Sequence, residues 1–173
     1  MKHTIKAKNF TLRPYRKGDE KSLQENISSK DVYRYTCRIP HPYTIKDARK
    51  FIKNYLNKYN KKGSDKFILA IVIDEKIVGA VGLENIKPHM AELGYWLGKK
   101  YWNKGIMTEA VRLMTNIGFK KYKLARIYAY AFLKNTASRK VLEKNGYKLE
   151  GVMRKDTLKD GKLYDSTIYA KLK

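Results

Sequence analysis

Cysteine is almost missing from this chain. Cys37 is the only one in 173 residues, so no intramolecular disulfide can form, and the length suffices to bury a sizeable core without one. Proline is scarce at four, and no Pro/Gly/Ser-rich linker, internal repeat or low-complexity tract divides the chain, which predicts one domain over residues 1–173. No apolar run approaches the roughly 20 residues needed to span a bilayer. The stretch from Met1 to Lys8 is polar rather than a signal sequence, so the expected location is the cytoplasm. Three common fingerprints are absent: the phosphate loop ending in Gly-Lys-Ser/Thr, G-x-G-x-x-G, and G-x-S-x-G. His3, His41 and His89 are scattered, no metal-ligand spacing emerges, and no metal is expected. Cys37 has no paired base and orienter nearby and is expected to be a small buried side chain.

Carboxylates are the other shortage. Asp+Glu 16 against Lys+Arg 39 leaves a net charge of +23, a field that favours polyanionic partners. The lysines run from Lys2 to Lys173 instead of gathering in one stripe, and many Asn, Ile and Tyr accompany them. A composition bias explains that at least as well as a binding role, and no nucleic-acid-binding motif stands beside the charge.

What is present is an ordered series of elements. "NFTLRPYRKGDEKSLQEN" reads as strand, loop and helix, with Asp19 ahead of the helix. In "YTIKDARKFIKNYLNKY", Thr44 and Asp47 have capping-box spacing, and Ala48, Phe51, Ile52, Tyr55, Leu56 and Tyr59 recur at helical intervals. "KFILAIVIDEKIVGAVGLENI" reads as a β-hairpin turning at Asp74, Glu75 and Lys76, and Ala91 to Leu97 as a further strand. A helix follows from Thr108 to about Lys120 and Lys121, then a strand in "ARIYAYAF" and a short helix in "NTASRKVLEKNGY", with Asn135 as N-cap and Gly146 beyond its end. Two closing strands, Lys148 to Arg154 and Leu163 to Leu172, flank the turn "LKDGK". The sum is a mixed α/β protein of about seven strands and about four helices.

The stretch "KKYWNKGIMTEAV" places a basic loop closed by Gly105 where a helix begins. Strand, tight loop and helix N-terminus together offer unpaired N–H groups and a positive dipole end, which suits a phosphate or diphosphate, although most such glycines are plain turns.

The string "AELGYWLGKKYWNKGIMTEAV", followed by "NTASRKVLEKNGY", resembles the GCN5-related N-acetyltransferases, specifically the branch with the ribosomal-protein N-terminal acetyltransferases. The resemblance extends from "TLRPYRKGDE" to "EGVMRKDTLKDGKLYDSTIYAKL". It implies a twisted mixed sheet whose two central parallel strands splay apart to admit acetyl-CoA. It also implies backbone contacts to the pantetheine arm near Trp96 and Leu97, and a diphosphate held by Asn103, Lys104, Gly105, Ile106, Met107 and Thr108. The chain departs from the family pattern at Trp102, which is typical of this branch, and at Met107, where Gly or Ala is usual. A side chain in the first helical turn can point into the core and leave its N–H free.

Acetyl transfer to an amine needs a neutral amine, a place for the oxyanion and a proton for the thiolate. By resemblance, Glu92 is the candidate base, or alternatively a lysine partner or ammonium-positioning group. Ser138 is the candidate acid at the thioester sulfur, or alternatively a first-turn serine serving the helix. Asn135 matches a family asparagine at the pantetheine and is also explained as an N-cap. Arg139 and Lys140 either reach the coenzyme A phosphates or are solvated. Tyr128 and Tyr130 are read as core or groove lining.

The implied activity is transfer of acetyl from acetyl-CoA, with no metal, to a protein or peptide N-terminal amine by direct attack. The alternatives are a small-molecule amine acceptor, and a non-enzymatic basic RNA- or ribosome-binding module on the same fold. Proximity to the ribosome and a homodimer remain open as partners. Polyamine acceptors are disfavoured because a +23 protein repels a polycation, unless Glu84, Glu92 and Asp31 reverse the field in the groove.

Overall fold

A computed structural model describes residues 3–59 and 63–173. Its elements, in chain order, are β1 (Ile5–Lys6), β2 (Thr11–Arg13), α1 (Glu20–Ile27), α2 (Lys30–Arg34), α3 (Ile45–Tyr59), β3 (Phe67–Ile73), β4 (Lys76–Glu84), β5 (Met90–Leu97), α4 (Ile106–Lys120), β6 (Arg126–Phe132), α5 (Thr136–Lys144), β7 (Lys148–Lys159) and β8 (Lys162–Leu172). The eight strands form one sheet in the order β1-β2-β3-β4-β5-β6-β8-β7. That is one strand and one helix more than the sequence pattern suggests. The additions, β1 and α2, are two and five residues long, too short to display a period.

Local chemistry sets the element ends. Thr44 N–H and Oγ1–H both donate to Asp47 Oδ2, at 2.8 and 2.6 Å, while Asp47 N–H donates back to Thr44 Oγ1, so the expected capping box opens α3. Asp19 precedes α1 but does not cap it with its side chain. Its carboxylate instead takes both Arg13 guanidinium nitrogens at 2.8 Å, in a nearly fully buried pair that ties the end of β2 to the start of α1. The β3–β4 turn places Asp74 and Glu75 at φ of 48° and 58°, the left-handed pair that a two-residue hairpin requires.

β7 extends to Lys159, five residues past the expected end. Its register shifts between Met153 and Thr157, where Lys155 N–H donates to Asp165 Oδ1. The ladder then resumes through the polar run before the turn, which carries no apolar alternation because both faces of this ribbon are largely exposed.

Two apolar layers sandwich the sheet. Ile106, Ala110, Val111 and Met114 of α4 pack on one face against residues such as Leu83, Leu93 and Ile127. Leu23 and Ile27 of α1, with Ala48 and Ile52 of α3, cover Ala70, Val72 and Ala80 on the other face. Each fully buried branched side chain contributes on the order of 1.5–3 kcal/mol.

The central feature lies between β5 and β6, the only parallel pair among the described residues. Pairing runs from Met90↔Arg126 to Glu92↔Tyr128 and stops there. β5 stays bound to β4 as far as Leu97, and β6 stays bound to β8 as far as Phe132. Each strand therefore follows its own ladder, and sheet twist drives the two apart. The cleft opens where the sequence resemblance implied.

Candidate active site

The loop between β5 and α4 closes the mouth of this cleft. Gly98 N–H donates to Val78 O at 2.8 Å, the last rung of the β4–β5 ladder, before a single 3₁₀ turn at Lys99–Tyr101. The Trp102 indole then folds back and donates to Leu97 O at 2.7 Å, seating the loop on the strand end. Asn103 and Gly105 both adopt left-handed backbone, at φ of 59° and 73°, which turns the chain sharply into α4. The first intrahelical bond is Glu109 N–H to Gly105 O, so the N–H groups of Ile106, Met107 and Thr108 have no acceptor within the helix. Ile106 and Met107 bury their side chains, and the bulk of Met107 is absorbed by the core while its amide stays available. Residues 103–108 all line one groove. Lys104 lies over the Tyr101 ring at 5.7 Å, whereas Lys99 is paired with Asp31 at 2.6 Å and holds that carboxyl below its usual range. The arrangement is an anion site of backbone amides and a helix dipole, with one nearby ammonium.

The free edge of β5 supplies the next part. In an antiparallel ladder, alternate residues turn both backbone groups toward the partner strand. Since Gly98 bonds to β4, the same register directs Glu92, Gly94 and Trp96 to β4, and leaves the N–H and C=O of Leu93, Tyr95 and Leu97 facing the cleft. Of the two positions singled out in the sequence, Leu97 therefore has its backbone toward the cleft. Trp96 lines the groove with its side chain.

α5 forms the opposite wall. Asn135 Oδ1 accepts from Ser138 N–H at 3.1 Å, the cap its position suggested. Ser138 Oγ lies 2.8 Å from the Tyr95 hydroxyl, which also donates to Ser138 O at 3.2 Å. Burial pushes the Tyr95 phenol above its ordinary value, so it stays protonated and remains a donor. No motif in the sequence singles out Tyr95, although it alternates with Leu93 and Leu97 on the α4 face and a tyrosine there needs a partner for its hydroxyl.

Arg139 turns the other way, donating to Tyr169 Oη and Leu133 O, while Lys140 and Lys144 line the groove. Asn145 closes the helix and donates to Thr108 O at 3.1 Å, locking α5 to the first turn of α4. Replacing Asn145 with alanine is expected to cost about 1–2 kcal/mol of stability, read as a lower thermal midpoint, and to weaken cofactor binding as the two walls loosen.

Glu92 sits at the apex of the splay, on the pleat face opposite Tyr95. Asn85 Nδ2 donates to its Oε2 at 2.9 Å, and an Arg38 nitrogen lies 3.5 Å from its Oε1. It also lies across from Tyr128, whose ring packs edge-on against Tyr130, and Tyr130 lines the groove. Arg38 and Asn85 were not anticipated, because their approach depends on the loops after α2 and β4. Cys37 needs a correction: it is exposed on the segment after α2, where the five-residue helix has ended and the residue lines the groove instead of the core. Among the described residues no group of three or more His, Cys, Asp or Glu is placed to hold a metal ion, and no helix is long and apolar enough to cross a membrane.

The splayed parallel pair, the amide-lined helix start and the facing α5 wall enclose a continuous groove of about 1280 Å³. Residues 9–148 match the sequence model of the acetyltransferase (GNAT) domain. The chain belongs to this family and is an acetyl-CoA-dependent N-acetyltransferase. It is 33% identical over 172 residues to the probable N-acetyltransferase YjcK of Bacillus subtilis, covering 96% of this chain and 95% of that one. A ribosomal-protein-S5-alanine acetyltransferase from Vibrio fischeri superposes with a TM-score of 0.83 at 25% identity, over 98% of this chain and 96% of the other. The microcin C7 self-immunity acetyltransferase MccE, solved in complex with acetyl-CoA and AMP, gives 0.81 at 26% identity, over 96% and 93%.

Proposed function

We propose that this enzyme acetylates a protein or peptide N-terminal amine, with acetyl-CoA and acceptor held together in the groove. The observation that carries the reading is the opening between β5 and β6 beyond Glu92 and Tyr128, with the unpaired amides of α4 at its mouth. The diphosphate rests on the amides of residues 103–108 beside Lys104, the pantetheine arm runs along the backbone edge of Tyr95 and Leu97, and Asn135 borders it. The similarity to a ribosomal-protein acetyltransferase supports a peptide acceptor.

Glu92, through a water, takes the proton of the acceptor ammonium and leaves a neutral amine. The amine nitrogen attacks the thioester carbonyl, forming the C–N bond, and the collapsing intermediate breaks the C–S bond. The amide nitrogen sheds its second proton to water in the groove, the thiolate takes its proton from Ser138 Oγ, and the serine is reprotonated from that water while the Tyr95 hydroxyl, which stays protonated, polarises it. The protein supplies position and proton transfer without an acyl-enzyme.

Incubation with acetyl-CoA at a hundred times its dissociation constant is expected to stabilise the protein by about 2.7 kcal/mol. For a chain of this size that is a rise of about 5–10 °C in thermal midpoint. Release of free thiol with an N-terminal peptide substrate confirms turnover. Salt-sensitive RNA binding with no response to acetyl-CoA would contradict the reading.

A further inference from the structure

Charge is distributed unevenly along the groove. Around the cofactor loop, the lining charged groups are Lys104, Lys140 and Lys144. Away from it, the wall holds four carboxylates, Asp65, Glu84, Glu92 and Asp156, while Asp31 is paired with Lys99 of the cofactor loop. Only Arg38, Lys58 and Lys66 oppose them there. In a chain with 39 basic and 16 acidic residues this is a local inversion of sign, and a low-dielectric cleft concentrates its field.

Two of those carboxylates are placed directly opposite each other. Glu84 and Glu92 are cross-strand partners on one face of β4 and β5, with side chains 19% and 17% exposed. Like charges in that relation repel unless a cation lies between them. Here the cation is Arg38, with nitrogens 2.8 Å from Glu84 and 3.5 Å from Glu92. Its side chain is 65% exposed, it sits on the irregular segment between α2 and α3, and it makes no other side-chain hydrogen bond among the described residues. Lys66 holds Glu84 from another direction at 2.7 Å.

The adjacent pair on the same face is Gly82↔Gly94; the Ile68 side chain covers Gly82, whereas a Cβ at Gly94 would meet only Glu84 Oε1, at 3.6 Å, so the open floor beside the glutamates lies at Gly94. A separate observation points to an occupant in the same groove. Tyr15, 2% exposed, is among its lining residues, and its buried hydroxyl has no hydrogen-bond partner; the Trp96 indole is near enough to influence its ionisation but not in bonding geometry. A buried hydroxyl without a partner is a destabilising feature.

We infer that this end of the groove binds an acceptor with a second positive charge beside the amine that is acetylated, and that this cation takes the place of the Arg38 guanidinium between Glu84 and Glu92. The inference rests on the acetyl-transfer reading above and narrows its substrate class. A linear amine lying beside Gly94 offers N–H donors to the two glutamates. The aromatic side chains of Tyr43, Phe51 and Tyr55 line the same groove and suit the apolar part of such a molecule. A short alkyl diamine and a peptide N-terminus followed by a basic residue share this chemistry.

The test is calorimetric titration of the full chain, with and without coenzyme A, using 1,4-diaminobutane against 1-aminobutane and the peptide Ser-Lys-Ala against Ser-Ala-Ala. At low salt the dication of at least one pair is expected to bind about tenfold more tightly, a difference of about 1.4 kcal/mol. Glu84→Gln should remove most of that preference, and Arg38→Gln should enlarge it by freeing the site of its internal competitor. A preference in the diamine pair alone assigns a small-molecule acceptor, one in the peptide pair alone assigns a protein acceptor, and either supports the inference. Equal binding within both pairs, or a preference that Glu84→Gln leaves intact, overturns it. Acetyl-CoA turnover with monocationic amines is a separate readout, so loss of the acetyl-transfer reading is distinguishable from loss of this one.

Discussion

Gly105→Asp is expected to abolish the rise in thermal midpoint that acetyl-CoA produces, with a loss of at least 100-fold in affinity. The residue occupies left-handed backbone at φ 73°, and a Cβ built there meets no atom within 4 Å. Nothing needs to move to admit the side chain, and aspartate tolerates this conformation better than most residues, so the folding penalty stays at about 1 kcal/mol. The functional penalty is larger because the new carboxylate stands before the amides of Ile106, Met107 and Thr108 and repels the diphosphate they would hold. Gly105→Ala separates the two effects: it carries the backbone cost without the charge and should retain most of the cofactor response. Unchanged affinity in the aspartate variant would remove this loop from the binding site.

The second large effect is expected in catalysis. Glu92→Gln and Ser138→Ala should each lower kcat by about 100-fold, the lower range for loss of a general base or acid, while leaving the acetyl-CoA dissociation constant nearly unchanged. Glutamine preserves the shape of Glu92 beside Asn85 but cannot accept a proton, so the rise of kcat/KM with pH should flatten in that variant. A residue that merely positions the substrate would shift KM and leave the pH profile alone. Tyr95→Phe should lower kcat by a smaller factor if the phenol only supports Ser138, since the serine hydroxyl remains 2.8 Å away from a vacated position. Because burial raises the Tyr95 pKa, its hydroxyl is neutral throughout the neutral range and does not account for an alkaline limb there. Full activity in either the Glu92 or the Ser138 variant would strip that residue of its role.

Several parts of this enzyme are legible from local pattern. The capping box at Thr44 and Asp47, the hairpin at Asp74 and Glu75, and the N-cap at Asn135 all concern residues within a few positions of each other, and the structure contains each of them. The loop before α4 is legible for the same reason: a strand end, left-handed residues and a helix start are consecutive in the chain. β1 and α2 are too short to carry a period, and the far end of β7 is a polar ribbon without an apolar face. Cys37, expected in the core, is exposed because its burial depended on what α2 packs against rather than on its own chemistry.

The sequence by itself determined the longer periodic elements, the helix start that offers unpaired amides, and the excess of positive charge, since these depend on near neighbours and composition. Tertiary structure decided which groups meet: Tyr95 with Ser138 across 43 positions of chain, Arg38 with Glu84 across 46, and the carboxylates gathered on one wall of a cationic protein. Those encounters follow from strand register and from the divergence of β5 and β6, and register is a property of paired strands that no single strand contains.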